Sequence, residues 1–354
     1  MQEDMHYYGT LAMARAAGIP NEDAETIAYA AQFVDDSIGY DSKEHADHGL
    51  LYAICTAHHP LQSFLDLHGA KIKEGTEEQR KIWIPFHFFP GGKGDTFSEK
   101  LLCVKNGDLV KEMFKKNLEF ALEKPYGLAL MGISAHVYMD TFSHYGFSGI
   151  SSSFNKIKSG TISLVEQPKT IAYITDKFKQ FFEKYVVPLG GQELSKYLGH
   201  AGAATYPDRP YLKWKFEFTK PRPGEGAASE RNNIKDFLEG CRCLHAFFRK
   251  FAKAKYSGTN DGLKFREIRE TVKTIITLEA EKDSRIKAWE ESGLINGCAR
   301  YNPETWEQEK KRFSENETSA MGIESKAYQF YQAAAIHRYH VLKDLLPSHD
   351  IAVY

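Results

Sequence analysis

The sequence predicts an all-α protein, a multi-helix bundle with ordered loops and at most a short β element. Three observations carry that expectation. Apolar residues recur at helical spacing along most of the chain, strand-like alternation is confined to one stretch, and one long apolar segment carries polar side chains four residues apart. Residues 21–36, "NEDAETIAYAAQFVDD", offer Asn21 as an N-cap and two acids in the first turn. They place Ala24, Ile27, Ala28, Ala31 and Val34 on one face. Residues 106–124 repeat the pattern with Leu109, Met113, Leu118 and Leu122. A third helix starts at Pro125, which suits a first turn, and continues through "GISAHVYMDTFSHYGFSG". It is apolar nearly all round, so it belongs at the centre of the molecule. Further helices fit residues 169–186, 230–255, 263–289 and 323–345. "YLKWKFEF" (211–218) alternates, as a short strand or an extended arm would. Residues 83–95 and 205–226 read as ordered loops, and "PRPGEGAAS" (221–229) as the best linker. Residues 1–220 then form a site-bearing helical core, with helices of 221–354 packed on the same compact domain.

The chain has 354 residues, 42% hydrophobic and 26% charged, enough for one large core. A net charge of -1 gives no global pull toward nucleic acid or an anionic membrane. The opening "MQEDMHYYGT" has neither the basic nor the apolar region of a secretory signal, and no stretch reaches the ~18 apolar residues of a membrane span. The five cysteines are odd in number and lack C-x-x-C spacing. They read as reduced thiols, so a cytoplasmic protein is expected.

The chemistry concentrates in residues 1–208. In the third helix His136, Asp140 and His144 lie four residues apart, and at about 100° per residue they share one face. Three ionisable groups on an otherwise apolar helix are costly to bury without a counter-ion. A hydrogen-bonded polar seam would be the alternative to a metal site. Imidazole nitrogen and carboxylate oxygen are the donors that Zn²⁺ and similar divalent ions take. Asp140, between two imidazoles, is placed to bridge two ions. His6, Asp35, His87 and His200 are further candidate ligands, beside His58, His59 and Asp208. Asp35 and Asp36 end a helix where acids are unfavourable, a small hint of function. His45 and His48 read as a solvated loop. His245, His337 and His340 read as structural, the last two as surface or interhelical contacts.

"AHVYMDTFSHYGFSG" resembles the His-x3-Asp-x3-His signature of the zinc-dependent phospholipase C and single-strand nuclease superfamily. With "MQEDMHYYGTLAMARAAGI", "AAQFVDDS", "FHFFP" and "GHAGAATYPDRPYLKW", the chain is similar over about its first 220 residues to an uncharacterised bacterial family related to those enzymes. The resemblance implies an all-helical fold and a trinuclear zinc cluster that cleaves phosphodiesters. It implies Asp35, His87, His136, Asp140, His144 and His200 as ligands. Two departures stand out. The secreted enzymes bind zinc through the amine and carbonyl of a processed N-terminal Trp, whereas this chain begins Met-Gln, so Asp4 or His6 has to substitute. The late His-x3-acid motif lands here on Ala204, with Asp208 the next acid.

The function expected is a metal-dependent phosphodiesterase or phosphoesterase, using two or three Zn²⁺ ions to activate water. Asp36 or Asp4 would be the general base. Tyr7, Tyr8, Phe86, Phe88 and Tyr206 would line the substrate pocket, and Arg209 would contact a phosphate. The substrate would be a phosphoester-containing small molecule, a lipid headgroup or single-stranded nucleic acid. A non-catalytic sensor or structural protein tied by its metal is the main alternative. A metal-free helical lipid- or small-molecule-binding protein is a third. An HD-type phosphohydrolase would want an adjacent His-Asp pair, and the sequence has none.

Overall fold

The computed structural model describes residues 1–57, 77–166, 170–181, 199–256 and 262–353. A π-helical turn, Asp4–Gly9, runs on into α1 (Thr10–Ala16). Next come α2 (Asn21–Asp36), the short antiparallel pair β1 (Lys43–Glu44) and β2 (Leu50–Leu51), and the π-helical α3 (Gln79–His87). The chain continues through α4 (Phe97–Lys100), α5 (Asp108–Glu123) and α6 (Gly127–His144). After β3 (Ser163–Leu164) and α7 (Ile171–Phe181) a hairpin follows, β4 (Lys213–Arg222) with β5 (Gly226–Asn232). Five longer helices close the chain: α8 (Asn233–Lys255), α9 (Phe265–Ile276), α10 (Lys282–Glu290), α11 (Glu304–Arg312) and α12 (Lys326–Tyr339).

The all-α expectation is corrected here. The structure is about 58% helical, but among the described residues five strands form two small antiparallel sheets, so the class is mixed α/β. The larger sheet has the order β3-β4-β5. β4 is the alternating stretch, with Trp214, Phe216 and Phe218 buried on one face. The expected linker is the turn and second strand of its hairpin. "GAASERN" has no strand-like composition, and it is extended because it completes the ladder of β4. The expected boundary at residue 220 therefore falls within β4.

Other differences are local. Asn21 is the first helical residue and not the cap, which is Pro20 at ψ 154°. The helix expected from Pro125 starts at Gly127. The one expected over 263–289 is two helices, broken around 277–281. Residues 83–87, the start of an expected loop, instead end the helix Gln79–His87, despite Pro85. His58 and His59 lie outside the described residues.

α6 is the axis. Residues Ala129 to His144 are all buried, and it packs against α2, α5, α8 and α12. Gly132 makes the crossing with α2 possible, since a Cβ there would lie 2.3 Å from the Ile27 carbonyl oxygen and 2.5 Å from the Ala30 Cβ. One apolar core surrounds α6 and draws residues from Met5 to Val353, and a second packs on the β4 face. α3 serves both, sending Ile84 and Phe86 to the first and Ile82 and Trp83 to the second. No helix among the described residues is long and apolar enough to cross a membrane.

Candidate metal centre

The helical spacing in α6 does what geometry requires: His136, Asp140 and His144 share a buried face. The close α2–α6 crossing brings Asp35, in the last turn of α2, to the same place. The π-helical turn delivers His6, the end of α3 delivers His87, and the loop after residue 199 delivers His200 and Asp208. Donor atoms fall into three groups, each within 4.8 Å: His6, His136 and Asp140; Asp35, His87 and His136; His144, His200 and Asp208. Asp140 lies at the centre. Its Oδ1 is 3.1 Å from His6 Nε2. Its Oδ2 is 3.3 Å from His136 Nε2, 3.6 Å from His87 Nδ1 and 3.5 Å from His144 Nδ1. His6, His136 and Asp140 are deeply buried, while Asp35 (33% exposed) and His200 (21%) are the more exposed members of the cluster.

The histidine tautomers follow from their partners. A carbonyl oxygen only accepts, so the ring nitrogen against it carries the proton. His136 Nδ1 donates to Ala31 (2.7 Å), His87 Nε2 to Thr56 (2.8 Å), His144 Nδ1 to His87 (2.8 Å) and His200 Nδ1 to Ala204 (2.8 Å). In its neutral form each ring then turns its other nitrogen, as a lone pair, into the cluster. His136 Nε2 and His87 Nδ1 face each other at 3.3 Å, and His144 Nε2 faces Asp208 Oδ1 at 3.3 Å. With every ring neutral these are acceptor–acceptor contacts, which a bound cation or an added proton relieves. Both nitrogens of His6 and Asp140 Oδ2 are buried without a hydrogen bond. An imidazole fixed by a carbonyl on one nitrogen and presenting the other is how proteins orient metal ligands. The residues therefore fit a group of divalent ions.

Protonation agrees. Burial, reinforced by the charge of His136 and the Met1 amine, pushes His6 down to about 3. Burial likewise takes His200 down to about 4. Burial alone would raise Asp140, but His144, the amine, His136 and His6 hold it well below the usual carboxylate range. Asp208 is lowered too: burial opposes this, while the amine and His200 prevail. Burial would depress His87, yet its contact with Asp140 and the charge of Asp35 raise it. Anionic carboxylates and the neutral imidazoles of His6 and His200 are forms that ligate metal.

The supporting contacts extend beyond the ligands. Ser143 Oγ donates to Asp208 Oδ1 (2.9 Å). Asn233 Nδ2 donates to the carbonyls of Tyr206 (2.8 Å) and Arg209 (2.7 Å), clamping the turn that carries Asp208. Ala204, at φ 46°, holds a backbone conformation disfavoured for a residue with a Cβ and so turns its carbonyl to His200. That fold-back explains how an acid eight residues after His200, not four, reaches the same group.

Several expected roles change. Asp4 is no free base: it is buried and gripped by Arg285, with Nε to Oδ2 at 2.7 Å and Nη2 to Oδ1 at 3.2 Å. Asp36 accepts from Tyr301 Oη (2.5 Å) and Gln32 Nε2 (3.1 Å), so its carboxylate is engaged away from Asp35. The Met1 amine lies 2.7 Å from Asp140 Oδ1 and 3.5 Å from Asp208 Oδ1. Burial opposes its charge, but Asp140 and Asp208 raise it to about 11. Tyr7 is buried, and its hydroxyl donates to the Ala299 carbonyl (2.8 Å). One residue past His6, it is rotated onto another helix face. Phe88 stacks on His144 (centroids 4.7 Å apart) and Tyr206 packs on Trp214 (5.5 Å). Arg209 is buried, donates to Thr205 Oγ1 (3.1 Å) and stands over the Tyr173 ring, leaving Nη1 without a hydrogen bond. His45 is buried against the Asn316 carbonyl and is no solvated loop residue.

A largely helical chain with a buried His/Asp cluster on its central helix is, by fold and site, a candidate metalloprotein. The chain belongs to the family of unknown function DUF6765, whose model matches residues 1–345. Comparison with curated proteins finds no match, and comparison with solved structures finds none either.

Proposed function

We propose that this protein is a metal-dependent phosphoester hydrolase built on a di- or trinuclear zinc site, akin to the zinc-dependent phospholipases C and single-strand nucleases. One observation carries the proposal: imidazole nitrogens and carboxylates converge in three adjoining groups, in contacts that bound cations would relieve. His136 has a single free nitrogen and serves one ion, with His87 and Asp35. His6 and Asp140 would serve a second, and His144, His200 and Asp208 a third. Asp140, with its two oxygens toward different neighbours, ties the groups together. Bound ions would supply Lewis acidity, activating a water and stabilising negative charge on a phosphoester.

The chain's own residues do the rest. Backbone carbonyls of Ala31, Thr56, His87 and Ala204 hold four rings in the ligating tautomer. Burial on the α6 side excludes water from behind the cluster, so a substrate reaches it past Asp35 and His200. No free general base is assigned, since Asp4 and Asp36 are both engaged. The substrate class is a phosphoester: a small molecule, a lipid headgroup or single-stranded nucleic acid. The five unpaired cysteines suit a reducing, cytoplasmic setting.

The test is elemental analysis of untagged protein purified without added metal, with turnover of bis(p-nitrophenyl) phosphate, a phosphocholine ester and single-stranded DNA. Two or three equivalents of transition metal and hydrolysis abolished by chelator are expected. Less than about half an equivalent sinks the metal site; full loading with no turnover favours a structural or sensing role.

A further inference from the structure

We propose that Asn117 and His337 are positioning residues that set the distance between His87 and His136, and so tune one metal group selectively. This rests on the metal-site function proposed above. His337, in α12, is buried and donates from Nε2 to the Pro85 carbonyl (2.8 Å), while its Nδ1 accepts from Asn117 Nδ2 (3.0 Å). The same amide nitrogen of Asn117, in α5, donates to Ser134 Oγ (2.9 Å). Pro85 precedes His87 by two residues, and Ser134 precedes His136 by two. One amide and one imidazole thus join the two ligand-bearing segments from outside the cluster.

The end of α3 makes this contact count. The last carbonyls of a helix have no partner within it. Here the carbonyl of Pro85 is held by His337 and that of His87 by His144. The turn bearing His87 is therefore fixed by two imidazoles, one of them a candidate ligand. The network is not favoured as mere stuffing: Asn117 Oδ1 is buried with no partner, a cost that an apolar core would not carry. Its return is geometric. His87 and His136 both belong to the group with Asp35, whereas neither serves His144, His200 and Asp208.

The test is Co²⁺ titration of metal-stripped full-length protein, read by the visible absorption of the bound ion and by chelator competition. In His337→Ala one equivalent should weaken about tenfold, with altered absorption, while another equivalent keeps its wild-type affinity. His337→Gln, which retains a donor for Pro85 and an acceptor for Asn117, should recover most of the loss. Ser134→Ala is the milder second variant, and it decides the matter if His337→Ala does not fold by circular dichroism. Equal weakening of every equivalent, or none in folded variants, overturns the proposal. Wild-type protein that takes up no Co²⁺ overturns it together with the metal-site function; normal wild-type uptake with indifferent variants overturns it alone.

Discussion

At the scale of the residue, Asp140 and Asp4 show how the same side chain takes opposite jobs. Both are buried. Asp140 has one oxygen with no hydrogen bond and five nitrogen neighbours, those of Met1, His6, His87, His136 and His144. Asp4 is saturated by one guanidinium. Asp140→Asn should release at least one metal equivalent, read by elemental analysis. Where the ion had been present at 100 times its dissociation constant, about 2.7 kcal/mol of linked stability goes with it. Asp4→Asn should behave differently. It strands a buried Arg285 and should cost about 3–5 kcal/mol in urea unfolding. The ions held by His144, His200 and Asp208 should stay. Loss of all metal in a folded Asp4→Asn protein would return Asp4 to the site.

At the scale of the element, the α2–α6 crossing and the α3 terminus decide whether ligands meet. Gly132→Ala would drive a methyl into the Ile27 carbonyl and force α2 outward, taking Asp35 from His136. About 1–3 kcal/mol of destabilisation is expected, with weaker metal retention, measured by denaturant titration and chelator competition. α12 offers a pH test. Burial pushes His337 down to about 3, against an ordinary value of 6.5. The unfolded chain therefore binds a proton that the folded one refuses. Stability from this group is complete above about 6.5 and is lost as pH falls toward 3. At pH 5 the loss is about 2 kcal/mol. Unfolding free energies of metal-stripped wild type and His337→Gln at pH 7 and pH 5 should differ in slope by about that amount, with the variant less pH-sensitive.

At the scale of the whole molecule, the cluster pins the π-helical turn, α2, α3, α6 and the 199–208 loop to one point. Chelator should thus lower the melting temperature of the entire cooperative unit, and Zn²⁺ should restore it. An unchanged transition would mean that the ligands do not brace the fold. Residues 221–354, which hold no expected ligand, supply the buttresses: Asn233 on the Asp208 turn, Arg285 on Asp4, Tyr301 on Asp36 and His337 on Pro85. Such partners lie more than 250 residues apart in three of the four pairs. Periodicity is a local signal and carries no trace of them. For the same reason Asp4 and Asp36 read as available bases, Tyr7 as a lining residue and "PRPGEGAAS" as a linker.

By itself the sequence determined the elements whose cause is local: the amphipathic helices, the apolar α6 and the four-residue spacing that lines up His136, Asp140 and His144. It also offered His6, Asp35, His87 and His200 as donors, because imidazoles and carboxylates in apolar company are costly unless partnered. Only the tertiary structure decided which donors meet, which ring nitrogen each presents, that Asp208 completes the third group, and that a β-hairpin flanks the helices. Those outcomes depend on carbonyls, guanidinium groups and strand edges contributed from distant parts of the chain, and such contacts exist only once the core has closed around α6.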